Sequence, residues 1–206
     1  NEMIQAGRGA EIINQIWNAK SYRPDGIIDG KDLWDLVSTT VETDSVPYPF
    51  NGLNNMTQGI RKGEIITITA GSGVGKSQVC REIAYSLMLL DQKVGYLALE
   101  ENTKRTALGF MGLHLNKPIH LQSVEYTPEE LKNAFDNVLG TGNLFLYDHW
   151  GSMEINHLFN KIRYLVKGVG CTHIILDHLT IVLSGLEGGD ERRMLDFVMT
   201  KLRSLV

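Results

Sequence analysis

The stretch Glu64–Ala84, EIITITAGSGVGKSQVCREIA, decides the fold of this chain. An alternating run rich in β-branched residues predicts a strand, and the residues that follow Lys76 predict a helix. Between them lies the glycine-rich loop Ala70–Ser77, in the strand–loop–helix context that a phosphate-binding loop requires. Glycines let successive backbone N–H groups turn toward one anion, and the N-terminus of the next helix adds its dipole. We therefore expect this loop to hold the phosphates of a nucleotide.

Each polar residue of the loop has a chemical task in this interpretation. The lysine of the loop can reach the outer phosphates, and the serine hydroxyl can ligate Mg²⁺. The strict motif begins with glycine, whereas this chain has Ala70, but that position starts the turn and does not supply the key amides. An ordinary glycine-rich turn is the alternative, and it gives no reason for the Gly-Lys-Ser run. The predicted nucleotide-binding residues are Gly71, Ser72, Gly73, Val74, Gly75, Lys76 and Ser77.

Two apolar runs end in an aspartate, and either could supply the carboxylate on the metal side of the nucleotide. They are Leu144–Asp148 and His173–Asp177. This carboxylate is needed at the carboxyl end of a strand beside the phosphate-loop strand. Spacing alone leaves both open, but the aliphatic run before Asp177 indicates a more deeply buried central strand and favours Asp177. The alternative reading of Asp148 is a cap for a helix that begins near Ser152.

A pair of glutamates, Glu100 and Glu101, follows the second predicted strand. A hydrolase of this class needs a carboxylate that orients and deprotonates the water attacking the γ-phosphate. Glu100 comes directly after the apolar run and is the first choice for the catalytic base, with Lys76 as the second catalytic residue. Either glutamate could instead be a solvated charge or belong to the first turn of a helix.

Strands and helices alternate from Glu64 onward, which predicts an α/β fold with a mostly parallel sheet covered by helices on both faces. Strands are predicted at 64–69, 93–99, 143–148 and 172–177, and helices at 76–90, 103–113, 128–139, 153–168 and 190–205. Before Pro47 the chain contains a helical pattern at 2–19 and a connector with one short amphipathic helix around Leu33–Val37. We therefore place a domain boundary near Pro47, between segments 1–46 and 47–206.

The composition excludes several classes of protein. The net charge is −4 and the pI is about 5.9, which argues against a basic coat for nucleic acid but permits a local basic channel. No apolar run approaches the roughly 20 residues that span a bilayer, and no secretory signal is visible. Cys80 and Cys171 lack metal-ligand spacing and are predicted to be reduced thiols of a cytoplasmic protein. The start at Asn1, without a methionine, suggests a fragment.

Four sequence blocks occur in one order: the phosphate loop, VGYLALEEN, THIILDHLTIV and GGDERRMLDFVMTKLRSLV. They resemble the helicase domain of bacteriophage replicative primase-helicases, the hexameric RecA-like ring helicases related to the mitochondrial Twinkle helicase. The resemblance covers Gly52–Val206. The stretches Asn1–Lys20 and SYRPDGI also resemble the end of a primase-type module and the linker that joins it to the motor.

The resemblance implies an NTP-dependent 5′→3′ helicase that moves on single-stranded DNA and unwinds duplex during replication. It assigns the loop roles to Lys76 and Ser77, the base to Glu100 and the metal ligand to Asp177. It also implies Mg²⁺, ATP or dTTP as the nucleotide, a ring that is typically a hexamer, single-stranded DNA and a replicative polymerase as partners, and no membrane. A phage member would act in the host cytoplasm.

In the family, a sensor residue, DNA-binding loops and an arginine finger follow later in the chain than Val206. The expectation is therefore that the C-terminal part of the core is missing and that this fragment binds nucleotide without unwinding DNA. Two other features remain open. Asp190 is a predicted N-cap, and Arg192 or Arg193 could reach a neighbour. The apolar stripe of the first helix (Ile12, Ile13, Ile16 and Trp17) could pack on an adjacent subunit.

Three other functions share parts of this pattern. A RecA-type recombinase would share the fold, the loop and the strand-end glutamate, but would need an assembly motif ahead of the core. A small-molecule kinase would need an arginine-rich lid, and none is evident between Gly140 and Val206. A nucleotide-gated assembly module would not need a catalytic base, so Glu100 argues against it.

Overall fold

The computed structural model describes residues 28, 30–38, 44–148, 155–184 and 190–205. The chain divides into two compact units, residues 1–42 and 43–206. Within the first unit the structure describes helix α1 (Gly30–Ser38), where the short amphipathic helix is predicted. Its Leu33, Trp34 and Val37 side chains are exposed. The predicted helix at 2–19, with its apolar stripe, lies outside the described residues.

From Lys76 onward the second unit has the predicted order of helices and strands, with one additional short helix at 179–184. Its elements are β1 (Ser45–Val46), α2 (Asn51–Thr57), β2 (Ile60–Arg61), α3 (Lys76–Leu89), β3 (Val94–Ala98), α4 (Thr103–Leu115), α5 (Pro128–Val138), β4 (Leu144–Leu146), α6 (Ile155–Tyr164), a π-helical turn (Leu165–Val169), β5 (His173–Asp177), α7 (Leu179–Ser184) and α8 (Glu191–Arg203). Strands β1 and β2 form a separate antiparallel pair. No helix in the described part of the chain is long and apolar enough to cross a membrane.

The main sheet is parallel, in the order β4–β3–β5. All five residues of the middle strand β3 are buried, and side chains of β5 and of the π-helical turn pack over Gly95. A Cβ atom at Gly95 would lie 2.8 Å from Cδ1 of Ile174 and 3.0 Å from Cδ1 of Leu165. The absence of a side chain at this position therefore leaves room for the Ile174 and Leu165 side chains over the strand.

Two sequence predictions about this sheet are wrong, and they share one cause. Residues 64–69 form no strand, because they pair with neither described sheet, and Ile66 and Ile68 remain 46% and 40% exposed. The run Ile174–Leu176 is not the central strand, since among the described strands β5 is bonded only to β3, and it is half-buried. An alternating pattern supplies side chains suited to a strand, but the ladder itself needs a partner backbone.

The core has one cluster on each face of the sheet. On the first face, Val94, Tyr96 and Ala98 of β3 pack with α3 and α4, and Phe110 meets Tyr96 edge to face with 5.3 Å between the ring centroids. On the other face, Leu97 packs with α6, α7 and α8. Successive side chains of a strand point to opposite faces, so β3 contributes to both clusters, and β5 does the same through Ile175 on the first face and Ile174 and Leu176 on the other. The prediction of helices on both faces is confirmed.

Side-chain caps fix the beginnings of α4, α5 and α8. Asn102 Oδ1 accepts from the Arg105 N–H at the start of α4. Thr127 and Glu130 form a reciprocal capping box ahead of α5, whose first residue is proline. Asp190 accepts from the Arg192 N–H, so its prediction as an N-cap is confirmed. These caps place the helix starts within a residue or two of the predicted positions.

We expect Phe110→Ala to lower the free energy of unfolding by about 3–5 kcal/mol, because it leaves a cavity against Tyr96 in a fully buried site. The matched control is Phe135→Ala on α5, where the ring is 46% exposed and the loss should stay below about 1 kcal/mol. Urea denaturation followed by circular dichroism measures both. Equal losses in the two variants would contradict the described core.

Candidate nucleotide-binding site

The loop Ala70–Ser77 turns through two glycines that have left-handed backbone angles. Gly73 has φ +74°, and Gly75, the N-cap of α3, has φ +102°. Residues with a Cβ atom rarely adopt such angles, so glycine is required at both positions. Residues 70–75 are exposed, and the Val74 side chain is 72% exposed. The loop therefore leads directly into the N-terminus of α3, where helix N–H groups and the helix dipole attract an anion.

Lys76 lies at the first position of α3 and reaches back across the loop. Its Nζ donates to the carbonyl oxygens of Ala70 at 2.9 Å and Gly71 at 2.8 Å. The ammonium group is thus held over the loop, where it adds a full positive charge to the partial charge of the helix end. Ser77 follows at the second position of the helix and is half-buried.

Asp177 ends β5 and is buried, with 9% of its surface exposed. The Tyr96 hydroxyl donates to Oδ2 of this carboxylate at 3.1 Å, and the Leu99 N–H donates to the Asp177 carbonyl oxygen at 2.7 Å. Burial, and then the charge of Asp177, raise the pKa of the Tyr96 hydroxyl, which therefore remains a proton donor. The same two causes raise the pKa of the Cys80 thiol to about 11, so this thiol stays neutral.

Asp148 has different surroundings. It is exposed beyond β4, and its Oδ1 accepts a hydrogen bond from the Thr103 hydroxyl at 3.1 Å, at the first residue of α4. Helix α3, which carries Lys76, packs against β3 and β5. Helix α3 therefore packs against β5, the strand that ends at Asp177. Asp148 follows β4, which lies at the opposite edge of the described sheet.

The two adjacent glutamates are held by different partners. Glu100 is 54% exposed, and its Oε1 lies 2.8 Å from Nε2 of His178, the residue after Asp177. Glu101 forms an ion pair with Arg81 of α3 at 2.7 Å and a longer one with Arg105 at 3.4 Å. The Arg81 side chain of this pair is buried and the Glu101 side chain is 23% exposed, so the ion pairs hold the Glu101 carboxylate in place. Glu100 is the glutamate whose carboxylate faces the end of β5.

The structure therefore brings several predicted residues to one edge of the sheet. The Leu99–Asp177 bond joins the ends of β3 and β5, so Glu100 and Asp177 are neighbours, and α3 packs beside them. Sequence reasoning did not identify Tyr96, Arg81 or His178 as site residues. A tyrosine inside a strand predicted to be buried was a usable signal for Tyr96, because a buried hydroxyl needs a partner.

The donors at this edge fit a magnesium ion that takes much of its coordination from phosphates and water. Among the residues described, no three His, Cys, Asp or Glu side chains are grouped to hold a metal. Mg²⁺ with a nucleotide is usually held by one or two carboxylates plus phosphate oxygens, and does not need a protein cage. Asp177 and the Ser77 hydroxyl are the chemically suitable residues, and Tyr96 orients the carboxylate while leaving its other oxygen for a ligand.

Comparison with known proteins places this geometry in a family. The profile of the family described as DnaB-like helicase C terminal domain matches residues 45–205. The chain is 35% identical to a DNA helicase/primase of Enterobacteria phage T3 over 218 aligned residues, which cover 98% of this chain and 38% of that protein. It is 23% identical to the replicative DNA helicase DnaB of Geobacillus stearothermophilus, covering 68% of this chain and 32% of that protein. The chain thus spans less than two fifths of the length of either relative.

Solved structures show the same fold at lower identity. A DnaB-like replicative helicase, from a study of its interactions with primase, matches with a TM-score of 0.67 at 18% identity, over 96% of this chain and 49% of that one. A KaiC-like protein of the hyperthermophilic archaeon Pyrococcus horikoshii matches with a TM-score of 0.56 at 17% identity, over 79% and 65%. The predicted α/β, RecA-like fold and the resemblance to phage primase-helicases are confirmed. This chain belongs to the DnaB-like helicase C-terminal domain family.

Proposed function

We propose that this chain is the NTP-hydrolysing motor domain of a replicative DNA helicase that moves 5′→3′ on single-stranded DNA and unwinds duplex. The observation that carries the proposal is the arrangement of the phosphate loop at the start of α3 next to strand ends that carry Glu100 and Asp177. Membership of the helicase family supports the reaction class. We keep the domain limits proposed from the sequence, with the end of a primase-like module and a linker helix region at 1–46 and the motor at 47–206.

The loop residues Gly71–Ser77 bind the phosphates. Their backbone N–H groups and the N-terminus of α3 neutralise part of the negative charge, and Lys76 moves its hydrogen bonds from loop carbonyls to the outer phosphates. Ser77 and Asp177 would hold Mg²⁺. When bound with the nucleotide, this ion neutralises charge that develops on the β- and γ-phosphates.

Glu100 acts as the base. Its exposed carboxylate orients the attacking water and accepts its proton, while His178 restrains the side chain from the strand-end side. Lys76 supplies positive charge at the γ-phosphate, and an arginine from a neighbouring subunit would supply more, as the transition state requires. This need for a neighbour supports assembly into a ring, in which hydrolysis is coupled to movement on single-stranded DNA.

The wider setting follows from the family. We infer a hexameric ring, single-stranded DNA and a replicative polymerase as partners, ATP or dTTP as the nucleotide, and action in the cytoplasm of a host cell. Arg192 and Arg193 at the start of α8 are exposed and could face a neighbour or DNA.

We expect Lys76→Ala to reduce kcat/KM for NTP hydrolysis by about 100-fold or more, because it removes the ammonium group over the loop. The control is Lys132→Ala on α5, which removes an exposed ion pair with Asp136 and a contact with the Phe135 ring and should hydrolyse NTP normally. Steady-state phosphate release measures both variants in the full-length protein that carries this sequence. Unchanged hydrolysis by Lys76→Ala would remove the loop from the proposed mechanism.

We expect Glu100→Gln to bind nucleotide normally but to lose kcat by about 100-fold or more, because the amide cannot accept the proton from water. Hydrolysis is measured with and without single-stranded DNA, and binding with a fluorescent nucleotide. In the unsubstituted protein, DNA should stimulate hydrolysis, and a forked duplex should be unwound.

The same assay separates the helicase from its alternatives. Hydrolysis that DNA does not stimulate would favour a nucleotide-gated assembly module. DNA stimulation without unwinding, but with strand exchange, would favour a recombinase. Normal turnover by Glu100→Gln would mean that the base has been assigned to the wrong residue.

The two candidate aspartates make a matched pair for a test of the metal site. Asp177→Asn keeps the shape and can still accept from Tyr96, so we expect a folded protein whose Mg²⁺ requirement for hydrolysis rises at least about tenfold. Asp148→Asn, at the exposed end of β4, should leave that requirement unchanged. A Mg²⁺ titration of NTP hydrolysis gives both values, and the opposite result would assign the metal to Asp148.

A further inference from the structure

An arginine is buried beside the candidate site and has no part in the mechanism above. Arg81 on α3 is 5% exposed, and its guanidinium group donates to Oε2 of Glu101 at 2.7 Å and to Oε1 of Gln78 at 3.1 Å. Its Nε is buried without a hydrogen-bond partner in the part of the chain that the structure describes. Buried arginines are uncommon and costly, so a pairing this close indicates a specific role for the position.

The partner carboxylate is engaged through both oxygens. Oε2 of Glu101 accepts from Arg81 and, at 3.4 Å, from the Thr106 hydroxyl, while Oε1 lies 3.4 Å from Nε of Arg105. Thr106 and Arg105 belong to α4, so the carboxylate ties two helices together. The Glu101 side chain is only 23% exposed, and a carboxylate bonded on both oxygens is held in one orientation.

The surrounding backbone is shaped to admit the arginine. A Cβ atom at Gly109 of α4 would lie 3.0 Å from both Cδ and Nε of Arg81. A glycine inside a helix costs about 1 kcal/mol relative to alanine, and here it makes room for the guanidinium stem. Helix α4 therefore has a glycine, which weakens the helix locally, where it packs against the Arg81 side chain.

The pair connects the two halves of the proposed active site. Arg81 lies on the helix that begins with Lys76 and Ser77, and Glu101 is the next residue after Glu100. A displacement of about 1 Å at a reacting group can cost about 100-fold in rate. The Arg81–Glu101 ion pair therefore links the helix that follows the phosphate loop to the segment that carries the proposed base.

We propose that Arg81 is a positioning residue for NTP hydrolysis: its ion pair with Glu101 fixes the segment that carries Glu100 relative to the phosphate loop. The inference rests on the proposed function, because Glu100 must be the base. Arg81 acts through Glu101 and does not touch the nucleotide. It should therefore affect turnover far more than nucleotide affinity.

The test compares kcat with the Kd of a fluorescent nucleotide in variants of the full-length protein. We expect Arg81→Met to lower kcat by about 10- to 100-fold while Kd changes less than about threefold. Arg81→Lys keeps the charge but loses the planar fork, so its kcat should lie between those of Arg81→Met and the unsubstituted protein. Glu101→Gln should match Arg81→Met, and the double variant should lose little more than either alone, because both remove the same pair.

The control is Arg61→Met. Arg61 forms an arginine–glutamate pair with Glu64 at the same 2.7 Å, but its side chain is 27% exposed and it lies on β2. This variant should keep its kcat and its Kd. If Arg81→Met does not fold, Glu101→Asp is the variant to measure. It keeps the negative charge but shortens the side chain, so it should still lower kcat at constant Kd.

Two results would overturn the inference. One is an unchanged kcat in Arg81→Met or Glu101→Asp. The other is a parallel loss of kcat and nucleotide binding, which is what a purely structural role produces. Failure of the proposed function looks different, because the unsubstituted protein would then hydrolyse no NTP, or Lys76→Ala would hydrolyse it normally.

Discussion

The hydrogen bond from the Leu99 N–H to the Asp177 carbonyl oxygen holds the site together. This bond extends the pairing of β3 and β5 by one residue beyond Ala98 and Asp177. The C-terminal ends of the two strands, which are distant in sequence, are therefore aligned. This alignment places the candidate site residues at one edge of the sheet. Asp177 accepts from the Tyr96 hydroxyl, Glu100 pairs with His178, and α3, which begins with Lys76, packs against both strands.

Identical side chains at neighbouring positions have been given separate roles by their surroundings. Glu101 forms an ion pair with Arg81 and its side chain is 23% exposed, whereas the Glu100 side chain is 54% exposed. The aspartates at the strand ends divide in the same way, since Asp177 is buried against Tyr96 and Asp148 is exposed beside α4. The chemistry of a carboxylate here depends on which element packs beside it.

How much of this could be predicted from the sequence depends on the range of the interactions. The phosphate loop, the five longer helices from Lys76 onward and three of the four main strands are signalled by local patterns and lie where the sequence predicts them, whereas the short helices α2 and α7 were not predicted. The depth of β5 and the pairing of 64–69 depend on which backbones meet, and a local pattern contains no such information. Tyr96 and Asp177 are 81 residues apart, and Arg81 and Glu101 are 20 apart, so neither pair could be derived from spacing alone.

The contact between Gly109 and Arg81 also restricts how this sequence can change over evolution. A side chain at Gly109 would press against the buried Arg81 stem, since its Cβ atom would lie 3.0 Å from Cδ and Nε, so a change at one position should require an adjustment at the other. Related sequences with a larger residue at the position of Gly109 should carry a shorter residue in place of Arg81, and should neutralise the position of Glu101 at the same time. Three positions on two helices and a strand end are thereby expected to be inherited as one unit.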